Sequence, residues 1–348
     1  MILYIGPKID NPTNGGDMID YRNQSLLKSI FKSEVYFVEP STSSSFFSRL
    51  SFGLDKKKKD EIQGIMEIWD IKLAFVSQSF YGAFAKHIKK QYKIPVISFF
   101  HNAEIDFFAD KLKIDGFNLH WWAYFKKIVY YEKMSIRVAD RIVVLNIRDS
   151  DALYSHYGRK ADFVLPTTFK DVYSEYPNET TSNMDIDYLF LGSAFFANIE
   201  GCKWFIENIL PELPGKMCIA GRGMDKVGFQ PSERLSIIGF VSNLADLYNR
   251  AKVVVSPILS GSGMKTKTAE ALMYGKTIVG TTEAFEGYVI NDKCMFKCDS
   301  AGEFVDTLNE LVPQIDSPIN IEARKHFLSL YSNDSVMTQF KEFIMGLV

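Results

Sequence analysis

The sequence lacks the features that mark membrane-spanning, disulfide-bonded and nucleic-acid-binding proteins. No apolar run in its 348 residues approaches the ~20 residues that a membrane-spanning helix needs. The four cysteines form no C-x-x-C pair, and their spacing suits neither a zinc site nor a disulfide framework, so we expect buried free thiols in a reducing compartment. The net charge of −2 shows no basic excess, so nucleic acid is not an expected partner. No basic stretch followed by an apolar one opens the chain, so we predict no signal peptide and a cytoplasmic location.

Short apolar segments alternate with amphipathic helical segments in both halves of the chain. Their apolar runs are nearly continuous, as is typical of parallel strands buried on both faces. The predicted strands are residues 2–6, 35–39, 73–77, 95–101, 141–146, 162–166, 187–192, 216–221, 235–240, 253–258 and 277–281. This alternation predicts an α/β fold with two Rossmann-like, doubly wound domains. Ligands of such domains bind at the carboxyl ends of strands, so two facing domains would enclose a central cleft.

The domain boundaries are predicted from a change in pattern near the middle of the chain. Residues 167–185 are polar and non-periodic and are predicted to be a linker. An N-terminal domain is therefore expected over residues 1–166 and a C-terminal domain over residues 186–331. The last segment, residues 332–348, is predicted to be a helix that crosses back to the N-terminal domain.

The segment SPILSGSGMKTKTAEALMYGKTIVGT, residues 256–281, has the pattern of an anion-binding loop. A buried strand leads into it, and Ser262 is predicted to cap a helix that starts there. Gly261 and Gly263 let the backbone approach a ligand closely. Unpaired N–H groups at a helix start attract anions, so this loop is a candidate diphosphate site.

Three charged residues of the same segment strengthen that interpretation. Lys265 and Lys267 would add full positive charges beside the bound anion. Glu270 follows one helical turn later, and its two carboxylate oxygens suit the two hydroxyls of a ribose. The pattern therefore indicates a nucleotide diphosphate. Two solvated lysines and a surface glutamate remain the alternative from spacing alone.

The segment resembles the donor-site signature of retaining glycosyltransferase family 4, of GT-B fold, in the variant G-x-G-x-[KR]-x-K-x-x-E-A-L followed by G-K-x-x-V. YLFLGSAFFANIEGCKWFIENILPEL resembles the start of that family's C-terminal domain. HNAEIDFF and YYEKMSIRVADRIVVLNIRDSDALYSHYG resemble parts of its N-terminal domain, and NPTNGGDMIDYRNQSLL resembles its glycine-rich acceptor-side loop. The resemblance implies transfer of a sugar from a UDP- or GDP-linked donor to a glycan or lipid-linked acceptor. It also implies a place in bacterial polysaccharide or lipopolysaccharide assembly, without a cofactor or an obligatory metal.

The resemblance also implies roles for single residues. The catalytic set is His101, near the transferred sugar, with Lys265 and Lys267 near the diphosphate. The donor-binding set is Gly16, Arg222, Val241, Gly261, Ser262, Gly263, Met264 and Glu270, the last on the ribose. The acceptor-binding set is Gly15, Arg22 and Glu104, of which the resemblance itself supplies Gly15. Arg22 is included because it lies on the helix after Gly16, where it would meet either an acceptor phosphate or solvent, and Glu104 because it lies beside His101.

The sequence departs from the family at two places. Ser262 stands where the first glutamate of the family's E-x7-E motif contacts the donor sugar. The stretch GSAFFANIEG carries no basic residue where the family often has an arginine and a lysine. Arg222 is therefore expected to help Lys265 and Lys267 bind the diphosphate. Ser262 keeps one alternative open, a catalytically inactive GT-B-like binding subunit of a glycosyltransferase complex. A nucleotide-sugar epimerase of the same fold is a second alternative.

Three further patterns resemble a dinucleotide-binding loop, a metal-binding motif and a membrane-contacting surface. AGRGMDKVG spaces its glycines unlike a dinucleotide-binding loop. The D-x-D pattern at residues 185–187 precedes a strand and the one at residues 149–151 opens a helix, so neither lies where a metal–diphosphate site would. Residues 46–61 and 117–133 mix aromatics with lysines, which suits either a solvated loop and a packed helix or contact with the inner face of a membrane.

Overall fold

A computed structural model describes the backbone of residues 1–32, 34–115, 118–173, 184–261 and 263–348, without the side chains of residues 47 and 110–115. The chain forms two units, Met1–Pro166 with Val336–Val348, and Thr167–Ser335. Residues 174–183 of the predicted linker, and Ser262 of the predicted anion loop, lie outside the described residues.

The first unit is built on a parallel sheet of six strands. These strands are β1 (Ile2–Ile5), β2 (Val35–Val38), β3 (Leu73–Val76), β4 (Val96–Phe100), β5 (Arg141–Val144) and β6 (Phe163–Val164). The helices between them are α1 (Gly15–Phe31), α2 (Phe46–Leu50), α3 (Lys56–Ile68), α4 (Gly82–Tyr92), α5 (Glu104–Asp115), α6 (Leu119–Val138) and α7 (Ile147–Tyr157). The strand order is β2-β1-β3-β4-β5-β6, and β1, β3 and β4 are buried along their whole length. The strand order reverses between β1 and β3, which is where ligands of open α/β sheets bind.

The second unit repeats this architecture. Its strands are β7 (Ile186–Leu191), β8 (Met217–Ala220), β9 (Leu235–Ile238), β10 (Ala251–Ser256), β11 (Thr277–Gly280) and β12 (Met295–Lys297). Its helices are α8 (Phe196–Asn208), α9 (Leu244–Arg250), α10 (Thr266–Met273), α11 (Ala301–Leu311) and α12 (Ile321–Leu330). The order β12-β11-β10-β7-β8-β9 is that of a Rossmann sheet, and its reversal falls between β7 and β10.

A last helix, α13 (Asn333–Met345), contributes its residues from Val336 onward to the first unit. Within that unit, the ring of Phe343 stacks on Phe163 of β6 with centroids 4.7 Å apart. Buried aromatic pairs of this kind add to the free energy gained from burial.

Two glycines allow the loops of the second unit to meet at the carboxyl ends of its strands. A Cβ at Gly201, in α8, would lie 2.0 Å from the carbonyl oxygen of Pro257, just after β10. A Cβ at Gly221, after β8, would lie 2.0 Å from the carbonyl oxygen of Gly192, just after β7. Only glycine fits at such distances, so these positions bring the loops after β7, β8 and β10 together.

The structure confirms the predicted α/β fold and all eleven predicted strands, with ends shifted by up to two residues. The short β12 was not predicted. The helix predicted to start at Ser262 instead begins at Thr266, with Lys265 as its N-cap residue and no side-chain cap. All four cysteines are buried free thiols, as predicted. Among the described helices, none is both long and apolar enough to cross a membrane.

A buried lysine precedes β11. The Nζ of Lys276 donates to the carbonyl oxygens of Ala251, at 2.7 Å, and Pro318. Burial lowers its pKa from 10.5 to about 7. Between these pH values the unfolded chain binds the proton that the folded chain has released, so stability rises with pH.

We therefore expect Lys276→Met to flatten the pH dependence of stability. The wild-type protein should gain free energy of unfolding over the variant by about 1.4 kcal/mol per pH unit above neutrality. Urea unfolding at neutral and alkaline pH measures this difference. Lys203→Met removes an exposed lysine of the same unit and should leave the curve unchanged. Parallel pH curves for the Lys276 variant and the wild-type protein would contradict the assignment.

Candidate active site

The predicted donor site lies at the carboxyl end of β10, beside the point where the strand order of the second unit reverses. Gly261 and Gly263 have φ angles of +130° and +68°, in the region that favours glycine. Met264 is buried, and its sulfur accepts a hydrogen bond from the backbone N–H of Thr167 at 3.4 Å. The loop is thus fixed on one side by packing and leads directly into α10.

Lys265 is held in place by an acidic partner that the sequence did not reveal. Its Nζ lies 2.6 Å from an Oε1 of Glu283, in the short 3₁₀ helix after β11, and 2.9 Å from the carbonyl oxygen of Gly263. Its own carbonyl accepts a hydrogen bond from the hydroxyl of Tyr288 at 2.7 Å. Glu283 offsets much of the charge of Lys265, and the role of this lysine beside a diphosphate stays a prediction.

Lys267 lies in a different environment. Its Nζ donates to Oδ1 of Asn198 at 2.5 Å and lies 4.4 Å from the centroid of the Phe190 ring. A Cβ at Gly192 would come within 3.1 Å of that nitrogen, so the ammonium reaches the loop after β7. The pKa of Lys267 is lowered to about 7, mainly by burial, with a smaller contribution from the charge of Lys265.

This environment suits a bound anion. In the described part of the chain, no carboxylate forms an ion pair with Lys267. A desolvated ammonium that lacks an acidic partner gains most from a ligand that carries negative charge. Lys267 is therefore the residue of this loop best placed to hold a diphosphate.

Glu270, one turn further along α10, is fixed by an aromatic pair. The hydroxyl of Tyr248 donates to its Oε2 at 3.1 Å, and the Tyr248 ring stacks on Tyr274 with centroids 4.4 Å apart. Burial raises the pKa of Glu270 to about 7. A perturbed carboxyl group beside a perturbed lysine is typical of a functional site.

The remaining predicted donor residues of this unit lie near the carboxyl ends of β8 and β9. The Arg222 side chain is exposed, with its guanidinium 5.6 Å from the centroid of the exposed Phe240 ring. Its carbonyl accepts a hydrogen bond from the N–H of Ala194 at 2.9 Å, which joins the loops after β7 and β8. Val241 follows Phe240 and is half-buried.

In the first unit, His101 belongs to a buried polar cluster after β4. Its Nε2 lies 3.2 Å from Oδ1 of Asp20 and 3.1 Å from Nε2 of Gln78. Gln78 donates to Oδ2 of Asp20 at 3.1 Å, and the hydroxyl of Tyr4 donates to Oδ1 at 3.2 Å. The cluster therefore fixes the imidazole from two elements, α1 and the turn after β3.

The predicted acceptor residues fall into two environments. Gly15 and Gly16 are exposed at the start of α1, after the cap residue Asn14. Arg22 is buried on the same helix, where its Nη1 donates to the carbonyl of Pro166 at 2.5 Å and burial lowers its pKa to about 9. This contact ties α1 to the end of the segment Met1–Pro166, and the role of Arg22 toward an acceptor stays a prediction.

Glu104 begins α5 as a buried carboxyl group. Its backbone N–H donates to Oε2 of Glu132 at 2.8 Å. Burial, and then the charge of Glu132, raise its pKa to about 8. Glu104 is therefore largely protonated at neutral pH and can donate as well as accept a hydrogen bond.

The sequence reasoning missed the partners that orient the predicted residues. These partners are Asp20, Gln78, Asn198, Tyr248 and Glu283. Asp20 had a usable signal, because the face of α1 that carries Ile19 and Asn23 is buried and a carboxylate there needs polar partners. Both D-x-D patterns have protein partners. Asp185 pairs with Arg250 and Asp187 with Lys252. Asp149 accepts a hydrogen bond from the backbone N–H of Ala103, and Asp151 pairs with Lys160. Among the described residues, no group of three or more metal-ligating side chains could hold a metal ion.

We expect Asp20→Asn to lower turnover more than donor affinity, because a neutral amide holds the His101 imidazole less firmly. A misplaced catalytic group costs roughly tenfold to a hundredfold in rate. Steady-state kinetics should show a lower kcat with an unchanged KM for the donor. The exposed Asp10→Asn serves as the control. An unchanged kcat would show that Asp20 has only a structural role.

Comparison with known proteins agrees with this geometry. Residues 185–314 match the family model of "Glycosyl transferases group 1". No curated protein matches the sequence. Among solved structures, sucrose-phosphate synthase of Thermosynechococcus elongatus is 12% identical with a TM-score of 0.72, and the match covers 99% of this chain and 98% of that one.

Two further structures show the same extent of similarity. HepE of Anabaena in complex with UDP-glucose is 12% identical, covers all of both chains and has a TM-score of 0.68. A glycosyltransferase of Rickettsia africae is 13% identical, covers 99% of this chain and 98% of that one, and has a TM-score of 0.69. The chain thus has the GT-B fold, and with the group 1 match of its second unit this supports a glycosyltransferase enzyme.

Proposed function

We propose that this protein is a retaining glycosyltransferase of family 4 type that transfers a sugar from a nucleotide-diphosphate donor to a glycan or lipid-linked acceptor. The observation that carries the proposal is Lys267, a half-buried lysine at the sheet reversal of the second unit. Its ammonium contacts Asn198 and the Phe190 ring and has no acidic partner among the described residues. Of the other two cations of the predicted donor site, Lys265 is paired with Glu283 and Arg222 is exposed.

The donor is assigned to the second unit. Lys267 and the backbone of the glycine loop would bind the diphosphate, and Glu270 would accept hydrogen bonds from the ribose hydroxyls. HepE of Anabaena has been solved with UDP, with UDP-glucose, and with UDP and glucose. We therefore propose a uridine diphosphate sugar as the first donor to test, with a GDP sugar as the second.

The chemical step needs stabilisation of the leaving diphosphate more than it needs a nucleophilic side chain. Preorganised positive charge stabilises the negative charge that develops as the bond between the sugar and the phosphate breaks. With retention, the acceptor hydroxyl attacks from the face that the diphosphate leaves, and the departing phosphate takes up the proton. His101, held by Asp20, and the protonated Glu104 are proposed to act on the acceptor side.

An exposed surface of aromatic and basic side chains on the first unit supports the proposal of a lipid-linked acceptor. The exposed face of α6 carries Leu119, Trp122, Tyr130 and three cations, Lys126, Lys133 and Arg137. The one acidic residue of α6, Glu132, is fully buried. Aromatic and basic side chains on one helix face are typical of contact with anionic lipid, so we propose peripheral attachment at the inner membrane face and a role in polysaccharide assembly.

A thermal-shift screen of nucleotide sugars tests the proposal most directly. The true donor should raise the melting temperature through binding to the folded state, and UDP-glucose and GDP-mannose represent the two bases. Mass spectrometry of the mixture should then show UDP or GDP together with a glycosylated acceptor or, without one, the hydrolysed sugar. No melting shift with any nucleotide sugar would contradict the proposal.

The second candidate function is a binding subunit without activity. Ser262 in place of a sugar-contacting glutamate favours it. Such a protein would show the melting shift with the donor but neither hydrolysis nor transfer. An epimerase of the same fold would instead convert the donor into a different nucleotide sugar without any acceptor, and analysis of the released sugar would reveal this.

A further inference from the structure

The first unit contains a cavity that shares no residue with the predicted active site. Its volume is about 260 Å³, and α3, α4 and α6 contribute to its walls. The lining residues that carry charge or define its shape are Lys59, Lys86, His87, Lys90, Tyr131 and Met134. Among the residues that the structure describes, no acidic one lines it.

The lysines of this cavity differ from their neighbours in the same helices. Lys58 in α3 pairs with Glu61 at 2.8 Å, and Lys89 in α4 pairs with Asp140 at 2.6 Å. In the described part of the chain, Lys59, Lys86 and Lys90 form no ion pair. Lys86 and Lys90 are also one helical turn apart, a spacing at which like charges repel. A bound anion would relieve this repulsion.

A histidine adds a second, independent observation. The Nε2 atom of His87 is buried and has no hydrogen-bond partner among the described residues. Buried polar atoms are nearly always paired, and an unpaired one costs free energy. Burial, and then the charge of Lys59, lower the pKa of this imidazole. An anion in the cavity would offer the missing partner and would offset the charge of Lys59.

The size of the cavity restricts the ligand. Its volume corresponds to about eight or nine water molecules, at roughly 30 Å³ each. Pockets that enclose drug-sized ligands start near ~300 Å³, so this cavity encloses a group smaller than a nucleotide sugar. A phosphate group with a short alcohol does fit, with the oxygens toward the lysines and the carbon atoms toward Tyr131 and Met134.

We propose that the cavity between α3, α4 and α6 binds a phosphate group, presented either by a lipid headgroup or by a small soluble phosphate ester. Lys59, Lys86 and Lys90 bind the anion, and Nε2 of His87 completes the hydrogen bonds. The proposal does not depend on glycosyl transfer, because neither the donor loop nor His101 takes part in it.

The test uses the full chain and two probes, inorganic phosphate and vesicles of phosphatidylcholine with and without phosphatidylglycerol. The NMR resonance of the His87 imidazole reports phosphate binding at constant ionic strength, and co-sedimentation reports vesicle binding. The test variant is Lys86→Gln with Lys90→Gln. The control, Lys57→Gln with Lys93→Gln, removes the same charge from exposed positions of α3 and of the end of α4 outside the cavity.

Phosphate should shift the His87 resonance saturably in the wild-type protein and the control, with binding at least about tenfold weaker in the test variant. If the test variant also loses binding to phosphatidylglycerol vesicles while the control keeps it, the source is a lipid headgroup. If vesicle binding is the same in both variants, the source is a soluble phosphate ester. No saturable shift, or equal weakening in both double variants, overturns the proposal. A missing UDP-glucose response beside a normal phosphate response would count against the proposed function alone.

Discussion

Lys267→Met is expected to weaken nucleotide-sugar binding by about a hundredfold and to leave the fold at least as stable as before. The loss follows from the removal of one charge-assisted hydrogen bond to the diphosphate, worth about 1.5–3 kcal/mol. The same charge should stabilise the leaving group, so kcat should fall as well, by roughly a hundredfold.

The effect on stability should have the opposite sign because the ammonium of this half-buried lysine is largely removed from water. Its desolvation, visible in a pKa lowered to about 7, is a cost that the folded protein carries when no ligand is bound. Methionine fills the same space against Phe190 without that cost. The loss of the hydrogen bond to Asn198 offsets part of the gain.

Calorimetric titration with UDP-glucose and urea unfolding measure the two quantities. Lys203→Met, an exposed residue of α8, should change neither of them. A dissociation constant within about threefold of the wild-type value would remove Lys267 from the donor site. A destabilised variant with intact binding would assign the residue a structural role.

The fold could be predicted because its evidence is local. Strands such as ILYI and LAFV are apolar throughout, and a parallel sheet covered on both faces requires that pattern. The sequence does not predict β12, because this strand has only three residues and ends in an exposed lysine. Two sheets with short connecting helices then follow from alternation alone.

The start of α10 shows where local reasoning failed. Serine is a preferred N-cap residue, so the sequence predicts that Ser262 caps α10. The helix begins at Thr266 because the hydroxyl of Tyr288 satisfies its first turn, accepting from the N–H of Ala269 at 3.2 Å and donating to the carbonyl of Lys265. That tyrosine lies 19 residues beyond Ala269, and no sequence window around the helix reveals the contact.

The sequence does not reveal which residues pair in the candidate site, because the two members of each pair are far apart along the chain. Asp20 and His101 are 81 residues apart in sequence, and Asn198 and Lys267 are 69 apart. Motif spacing identified one member of each pair, because helix and strand ends have recognisable signals. The other member follows only from the order of strands in the sheet, which brings distant loops to one edge.

The affinity for the donor should pass through a maximum near neutral pH. Binding needs Lys267 protonated and Glu270 ionised, and both groups have a pKa of about 7 in the empty site. Below that pH the carboxylate gains a proton and loses its capacity to accept from the ribose. Above it the lysine loses the charge that holds the diphosphate. The two groups are close on one helix, so the acidic and the alkaline fall in affinity report the titration of the pair rather than of single residues.

Each single variant should remove one of these two falls in affinity. Glu270→Gln should abolish the acidic fall in affinity, and Lys267→Met should abolish the alkaline fall. Calorimetric titrations with UDP-glucose over about two pH units on each side of neutrality should show a loss approaching about tenfold per unit at the extremes. Asp225→Asn, which changes an exposed acid of the same unit, should keep both the acidic and the alkaline fall in affinity. A flat profile for the wild-type protein would contradict the assignment.

The stability of the empty protein should show the inverse profile. The pKa of Glu270 is raised above its unfolded value of 4.5, so its contribution to the free energy of unfolding falls as pH rises toward 7. The pKa of Lys267 is lowered from 10.5, so its contribution rises again above 7. These two groups therefore destabilise the fold most where the donor binds best, and the donor-induced rise in Tm should be largest near neutral pH. A donor-induced shift that is constant across the range would show that the two groups do not titrate against the ligand.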